Sequence, residues 1–168
     1  QMFFYFCTMN NEIASTTKVR FGDCDPIGHL NNVKYLEYML NAREDHVENF
    51  YGFTYEQYLK KTGCTWITIQ NEIAYLKEVK ANVKVQITSK TIQISDRLDI
   101  VELLMKSEDG STIHAVLWIT VIYFNLKTRK SEIQPQEIQD LFKKTLVELD
   151  QNTFESRVQF LRKGNNRK

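Results

Sequence analysis

The sequence is short of the residues that mark several special classes of protein. It contains only three cysteines, Cys7, Cys24 and Cys64, and no C-x-x-C pair. An odd count without such a pair argues against a disulfide framework and against a zinc site. We therefore expect no metal, and a reducing compartment, the cytoplasm, as the location of the protein.

An excess of charge of one sign is also lacking. Lysine and arginine number 22 against 21 aspartate and glutamate residues, which leaves a net charge of +1. This balance predicts no strong attraction to nucleic acid or to an anionic membrane surface. The apolar run at residues 2–7 is much shorter than the roughly 18 residues of a membrane span, and it lacks the features of a signal peptide. Neither nucleic acid nor membrane is an expected partner.

Proline is rare, with only Pro26 and Pro135, and there is no linker, repeat or low-complexity tract. The 168 residues, 42% of them hydrophobic, suit a single domain with a substantial core. We expect an N-terminal extension at 1–15, the domain at 16–149, and a basic, frayed C-terminal tail at 150–168. Met9 is an alternative start, which leaves open whether residues 1–8 are native.

The hydrophobic spacing predicts an α+β fold. Residues 16–21 alternate as in a strand, and residues 32–50 have helical spacing with apolar residues over a wide face. A second helix is expected at 54–61, where Thr54 and Gln57 form a capping box. Four segments then alternate with period two and no helix between them, at 64–79, 82–95, 98–107 and 112–127. They predict a twisted antiparallel sheet wrapped around a long central helix, with a final helix at 135–149.

The wide apolar face of the central helix has two parts. Val33, Leu36, Leu40, Val47 and Phe50 form one stripe, and Tyr35, Met39, Ala42 and His46 lie beside it. So wide a face predicts that the helix is covered on more than one side. His46 and His114 lie within apolar patterns and are expected to be structural.

Between the first strand and the central helix stands "RFGDCDPIGHLNN", residues 20–32. A calcium loop is excluded, because Ile27 and Lys34 occupy positions where an EF-hand needs oxygen ligands. The segment matches no glycine-rich phosphate loop, and Cys24 is a poor nucleophile because flanking carboxylates raise a thiol pKa. A purely structural turn that caps the helix stays open.

A functional interpretation of the turn uses the start of the helix. Unpaired N–H groups there bind an oxyanion, and a carboxylate just upstream attacks a carbonyl carbon or activates water. That pairing suits acyl transfer from a thioester, whose thiolate leaves readily without a strong general acid.

The segment "VRFGDCDPIGHLNNVKYLEYM", residues 19–39, resembles the hot-dog-fold thioesterases of the 4-hydroxybenzoyl-CoA thioesterase type. The resemblance implies that Asp25 is the catalytic carboxylate, as nucleophile or general base, and that Asn32 N–H polarises the thioester carbonyl. It implies that His29 and Asn31 order the turn or contact the thioester. The histidine and paired asparagines differ from the 4-hydroxybenzoyl enzymes, so their aromatic substrate is not expected.

The resemblance also implies how the substrate is bound. Acyl-CoA would be the substrate, with no cofactor beyond the coenzyme A that the substrate itself carries. The CoA arm would pass the turn containing Ser95 and Arg97, and Tyr35 would line the acyl pocket. A homodimer or a dimer-of-dimers tetramer is implied, with active sites at the subunit interface. Hydrolysis of acyl carrier protein thioesters, a non-catalytic acyl-CoA-binding module and, last, a dehydratase are the alternatives.

Overall fold

A computed structural model describes residues 6–7 and 12–166 of the chain. Met9, the expected alternative start, and Arg167 and Lys168 of the basic tail lie outside the described residues. None of the helices within 12–166 combines the length and apolar character needed to cross a lipid bilayer.

In the described part of the chain, seven strands form one antiparallel sheet in the order β1-β2-β4-β5-β6-β3, with β7 paired to β6. Their bounds are β1 Phe6–Cys7, β2 Ile13–Lys18, β3 Cys64–Tyr75, β4 Lys84–Ile94, β5 Leu98–Ser107, β6 Ile113–Asn125 and β7 Lys130–Ser131. The four long strands are those that the alternating segments predict. Strand β3 ends at Tyr75 rather than at residue 79.

Four α-helices accompany the described sheet: α1 Asn32–His46, α2 Tyr55–Thr62, α3 Gln136–Lys143 and α4 Phe154–Asn165. Helix α1 continues as a π-helical segment at Val47–Tyr51 and ends at Gly52, whose φ of 81° is the left-handed conformation that glycine adopts without strain. The predicted capping box is present at the start of α2, where Thr54 and Gln57 bond each other's backbone N–H.

The sheet curls around α1, which confirms the predicted fold class. One face of α1, with Tyr35, Met39 and Ala42, packs against the inward side chains of the sheet. Those side chains include Val85, Ile87, Val101, Leu103, Met105, Ala115 and Leu117. A second buried cluster, which contains Val47, Tyr51, Tyr58, Tyr123 and Phe142, closes the far end of the helix.

The other stripe of α1 is only partly covered within one chain. Val33 is 69% exposed, and Leu36 and Leu40 are half-buried. The sheet of the same chain therefore covers the Tyr35 side of the helix well and the Val33 side poorly.

The basic tail is not frayed, so that prediction is wrong for residues 154–165. They form α4, which a capping box between Thr153 and Ser156 starts. Val158 and Leu161 pack on the outer face of the sheet beside Trp118. Spacing alone did not reveal the helix, because its apolar residues are few and stand among basic ones.

Candidate active site

The turn at residues 20–32 folds back on itself. Asp25 N–H donates to the His29 carbonyl at 2.7 Å, and Asn31 N–H donates to the Asp23 carbonyl at 3.0 Å. Cys24 and Leu30 form an isolated antiparallel bridge between these two pairs. The hairpin-like turn therefore holds Asp25 beside the residues that lead into α1.

The carboxylate of Asp25 is fixed by one of its oxygens. Oδ1 accepts hydrogen bonds from Ile27 N–H and His29 N–H, both at 3.0 Å. No described residue donates to Oδ2. Gly28, with a φ of 83°, supplies the left-handed residue that closes the turn. The geometry leaves one oriented carboxylate oxygen for chemistry.

Asn31 and Asn32 have separate roles at the start of α1. Asn31 is the N-cap, and its side chain accepts a hydrogen bond from Val33 N–H at 3.3 Å. The capping role that the structural interpretation expects is therefore present. Within residues 12–166, no group accepts a hydrogen bond from Asn32 N–H, so this donor at the positive end of the helix dipole is available.

Asp23 is committed to structure. Its Oδ2 accepts a hydrogen bond from the Tyr38 hydroxyl at 2.6 Å, and its Oδ1 lies 3.4 Å from Lys34 Nζ. The hydrogen bond from Tyr38, with the contact to Lys34, lowers the pKa of the Asp23 carboxyl. The two aspartates of the turn thus have different environments.

The other polar residues of the turn are less engaged. The backbone of His29 is hydrogen-bonded to Asp25, and it also forms an isolated antiparallel bridge with Lys80. Burial, with the neighbouring Asp25 carboxylate, raises the pKa of the Cys24 thiol. This direction agrees with the expectation that Cys24 is not a nucleophile. No group of three His, Cys, Asp or Glu side chains suited to a metal ion occurs among the described residues.

Of the residues expected to bind substrate, Tyr35 lies in the core beside the turn, whereas Ser95 and Arg97 lie at the other end of β4 in the same chain. Tyr35 lies in the core, 3% exposed, and its hydroxyl accepts a hydrogen bond from Val79 N–H at 3.1 Å. Ser95 and Arg97 lie in the exposed turn after β4, where Arg97 donates to the Ser131 carbonyl at 2.6 Å. That turn is at the far end of β4, whose 11 residues span about 35 Å.

Sequence reasoning missed a cavity of about 210 Å³ beside α1. It is lined by apolar and aromatic side chains together with Arg43 and Asp99, both of which are buried. Asp99 has the same strand parity as Val101 and Leu103, which point inward. The sequence does contain a signal for this cavity: in the predicted strand at 98–107, Asp99 alternates in phase with the residues that point into the core.

The chain matches known proteins over most of its length. The family model of the thioesterase-like superfamily matches residues 19–146. The long-chain acyl-CoA thioesterase FadM of Escherichia coli (strain K12) is 28% identical over 114 residues, which cover 68% of this chain and 84% of FadM.

Solved structures are similar over a larger share of the chain. The probable thioesterase YbaW from Escherichia coli has a TM-score of 0.69 at 24% identity and covers 80% of this chain and 98% of its own. A Staphylococcus aureus protein solved in complex with CoA has a TM-score of 0.72 at 16% identity, with 90% of this chain and 91% of its own covered. These two likenesses establish the fold.

Proposed function

The chain belongs to the thioesterase-like superfamily and is a thioester hydrolase, and from this membership we propose that it hydrolyses acyl-CoA to a free acid and CoA at the turn containing Asp25. The observation that carries the proposal is a carboxylate, fixed through Oδ1, beside a helix start that keeps an available N–H donor. The relative FadM, named for action on long-chain acyl-CoA, and the neighbour solved with CoA support the choice of acyl-CoA.

In the proposed reaction, the Asn32 N–H donates a hydrogen bond to the thioester carbonyl oxygen. Negative charge develops on that oxygen as the tetrahedral intermediate forms, and a donor at the positive end of a helix stabilises it more than the ground-state carbonyl. Asn31 supports this role by capping Val33 N–H, which keeps the first turn of the helix in place.

Asp25 supplies the carboxylate in either of two ways. As a nucleophile, its Oδ2 attacks the carbonyl carbon, CoA leaves as the thiolate, and water cleaves the resulting anhydride. As a general base, Oδ2 takes a proton from the water that attacks the same carbon. Both routes give one carboxylic acid and one free thiol and use no cofactor. His29 contributes by holding Asp25 through its backbone N–H.

The structure weakens one argument for acyl carrier protein as the partner. A basic tail would attract an acidic carrier protein, but Arg157 of that tail is buried and bonded to Glu102 at 2.7 Å and 2.8 Å, while Arg162 and Lys163 stay exposed. We propose acyl-CoA ahead of carrier-protein thioesters as the substrate, with support from the relative named for acyl-CoA and the neighbour solved with CoA. The cysteine content continues to favour the cytoplasm as the location.

We further propose that the enzyme is a homodimer, or a dimer of such dimers, with β3 of each subunit at the interface. Strand β3 is a 12-residue edge strand, paired on one side only by β6 among the described strands. Ile69 on this strand is 54% exposed, and Val33 near the proposed site is also exposed. A partner subunit would cover the second stripe of α1 and complete the site.

The test of the proposed function is release of free thiol from a panel of short, long, branched and aromatic acyl-CoAs. Asp25→Asn retains an oxygen that accepts from Ile27 N–H and His29 N–H, so the turn should persist while the reacting carboxylate is lost. We expect kcat to fall by about 10²-fold or more.

Asp45→Asn, an exposed aspartate of α1 away from the turn, is the matched control and should retain activity. If the wild type releases no thiol from any CoA or carrier-protein thioester, the proposed function is wrong. If Asp25→Asn is fully active, the proposed role of Asp25 is wrong.

A further inference from the structure

The cavity beside α1 has an apolar wall and three charged side chains, of which Arg43 and Asp99 are buried and Glu44 is exposed. Leu40, Trp66, Val101, Ile119, Val121 and Phe142 supply apolar and aromatic surface, and Arg43 and Asp99 supply charge. Asp99 is 1% exposed and Arg43 is 7% exposed. Buried charged groups without polar partners are costly, so this cavity suits a ligand that carries a polar group.

The Asp99 carboxylate is held in a defined orientation. Trp66 Nε1–H donates to Gln134 Oε1 at 2.9 Å, and Gln134 Nε2–H donates to Asp99 Oδ1 at 3.0 Å. Gln134 is itself 2% exposed. This chain of hydrogen bonds satisfies Oδ1 but leaves Asp99 Oδ2 as the one buried side-chain polar atom without a partner among the described residues.

Arg43 places hydrogen-bond donors in the same cavity. Its guanidinium lies 5.6 Å from the centre of the Tyr51 ring, and Nη1 lies 3.4 Å from Ser89 Oγ. It forms no salt bridge with any described carboxylate, and its polar partners are the hydroxyls of Ser89, Tyr51 and Tyr55, which leaves part of the five-donor guanidinium for a ligand.

The cavity lies further along α1, toward its C-terminal end, than the proposed thioester site at Asn32. Val33, Leu36, Leu40 and Arg43 follow each other on one side of the helix. At a rise of about 1.5 Å per residue, Leu40 and Arg43 are about 12 and 16 Å along the axis from Asn32. An extended alkyl chain advances about 1.3 Å per carbon, given its C–C bond of about 1.5 Å, so roughly nine to thirteen carbons span that distance.

We propose that this cavity binds a hydroxyl group at the far end of a medium-length acyl chain, with Asp99 Oδ2 as its acceptor and Arg43 as its donor. The inference rests on the proposed function for the position of the acyl chain. A hydroxyl group donates one hydrogen bond and accepts others, so it satisfies both residues. A carboxylate would be repelled by Asp99, an ammonium group would be repelled by Arg43, and a methyl group would satisfy neither.

The charge state of Asp99 agrees with this role. Burial raises the pKa of its carboxyl to about 6, against the opposing effects of Gln134 and Arg43. Near neutral pH the group is therefore mostly ionised and accepts a hydrogen bond from the ligand. A charge-assisted bond of this kind is stronger than one between neutral groups.

The test compares dodecanoyl-CoA with its ω-hydroxy analogue as substrates of the full chain. We expect the wild type to favour the hydroxylated substrate by about tenfold or more in kcat/KM, because the plain chain leaves buried polar groups unpaired. Asp99→Leu, of similar shape, should abolish that preference and still hydrolyse dodecanoyl-CoA. The ratio of two substrates in one preparation does not depend on the folded fraction.

Asp96→Asn, an exposed aspartate three residues away, is the control and should keep the wild-type ratio. Asp99→Asn retains an acceptor for Gln134 and serves as a second test if the leucine variant does not fold. It should also reduce the preference for the hydroxylated substrate. Affinities for dodecanoic acid and its ω-hydroxy analogue, measured by calorimetry, provide a second readout that needs no turnover.

The outcomes separate the two proposals. A wild-type ratio near one in both readouts, or a preference that Asp99→Leu leaves unchanged, overturns the inference while thiol release upholds the function. Absence of thiol release, with tighter binding of the hydroxylated acid that Asp99→Leu removes, overturns the function and upholds the hydroxyl site.

Discussion

Asp23 and Asp25 stand two residues apart, yet only Asp25 keeps a carboxylate oxygen without a hydrogen-bond donor among the described residues. Asp23 has both oxygens occupied by Tyr38 and Lys34. Asp25 uses Oδ1 for its own turn and leaves Oδ2 without a donor among the described residues. The resemblance assigns the catalytic role to Asp25, and this assignment stays a prediction. The two aspartates differ because the fold places Tyr38 and Lys34 beside Asp23 but not beside Asp25.

His46 shows the same dependence on neighbours. It is fully buried on α1, and its ring nitrogens lie 2.8 Å from Ser89 Oγ and 2.9 Å from Ser15 Oγ. Burial, with the nearby positive charge of Arg43, lowers the pKa of the imidazole from 6.5 to about 3. The expectation that this histidine is structural agrees with its position.

Acid should therefore destabilise the protein through His46. Below pH 6.5 the unfolded chain binds a proton on this residue and the folded chain does not, so the free energy of unfolding decreases as the pH falls toward about 3. Between about pH 7 and pH 5 we expect a loss of about 2 kcal/mol that is absent from His46→Gln.

Urea denaturation of both proteins over that pH range measures the difference. Asp99, whose pKa is raised, acts in the opposite direction but is present in both proteins and cancels. Parallel stability curves for the wild type and His46→Gln would contradict the prediction.

At the scale of elements, α4 is held by a buried ion pair rather than by apolar contact alone. Arg157 donates through Nε and Nη2 to the two oxygens of Glu102, and Trp118 Nε1–H donates to the same carboxylate at 2.9 Å. Lys90 lies 3.4 Å from Glu102 and also bonds Glu12. The helix thus completes a charged network on the outer face of the sheet.

Loss of Arg157 should destabilise the fold, because it leaves the Glu102 carboxylate buried with less compensation. We expect Arg157→Met to lower the free energy of unfolding by about 3 kcal/mol. Arg162→Met, an exposed arginine of the same helix, should change it by less than about 0.5 kcal/mol. Chemical denaturation checks both values. Equal effects of the two substitutions would show that the ion pair does not hold α4.

At the scale of the whole molecule, one chain leaves features that a second copy would use. The long edge strand β3 has one unpaired side among the described strands, and the Val33 side of α1 is poorly covered. The sequence predicts cover on more than one side of this helix, and the sheet of one chain supplies only one.

Substitution at the edge of β3 tests the proposed dimer. Sedimentation of the wild type should give a mass of about two or four times the 19.9 kDa of one chain. Ile69→Lys should shift it toward the monomer and reduce thiol release, because the substitution would bury a charge at the subunit interface. Phe160→Lys is the control, since Phe160 is equally exposed, at 54%, but lies on α4. A monomeric wild type would contradict the proposal.

Local pattern was enough to predict the long strands, α1 and α2, because their apolar period and capping residues lie close together in the sequence. It was insufficient for α4, which is stabilised by Glu102 and Trp118 from distant strands. Local pattern also could not predict that Ser95 and Arg97 lie far from Asp25 in one chain. The length and direction of the strands decide which turns share one end of a sheet.

The fold class and the turn at residues 20–32 can be predicted from the amino-acid sequence, since hydrophobic period and turn chemistry are local properties of the chain. The three-dimensional fold is needed to know which carboxylate keeps an unpaired oxygen, which face of α1 is covered, and that Asp99 and Arg43 share one cavity. Those outcomes depend on residues far apart in the sequence, and on burial, which exists only once the sheet has closed around the helix.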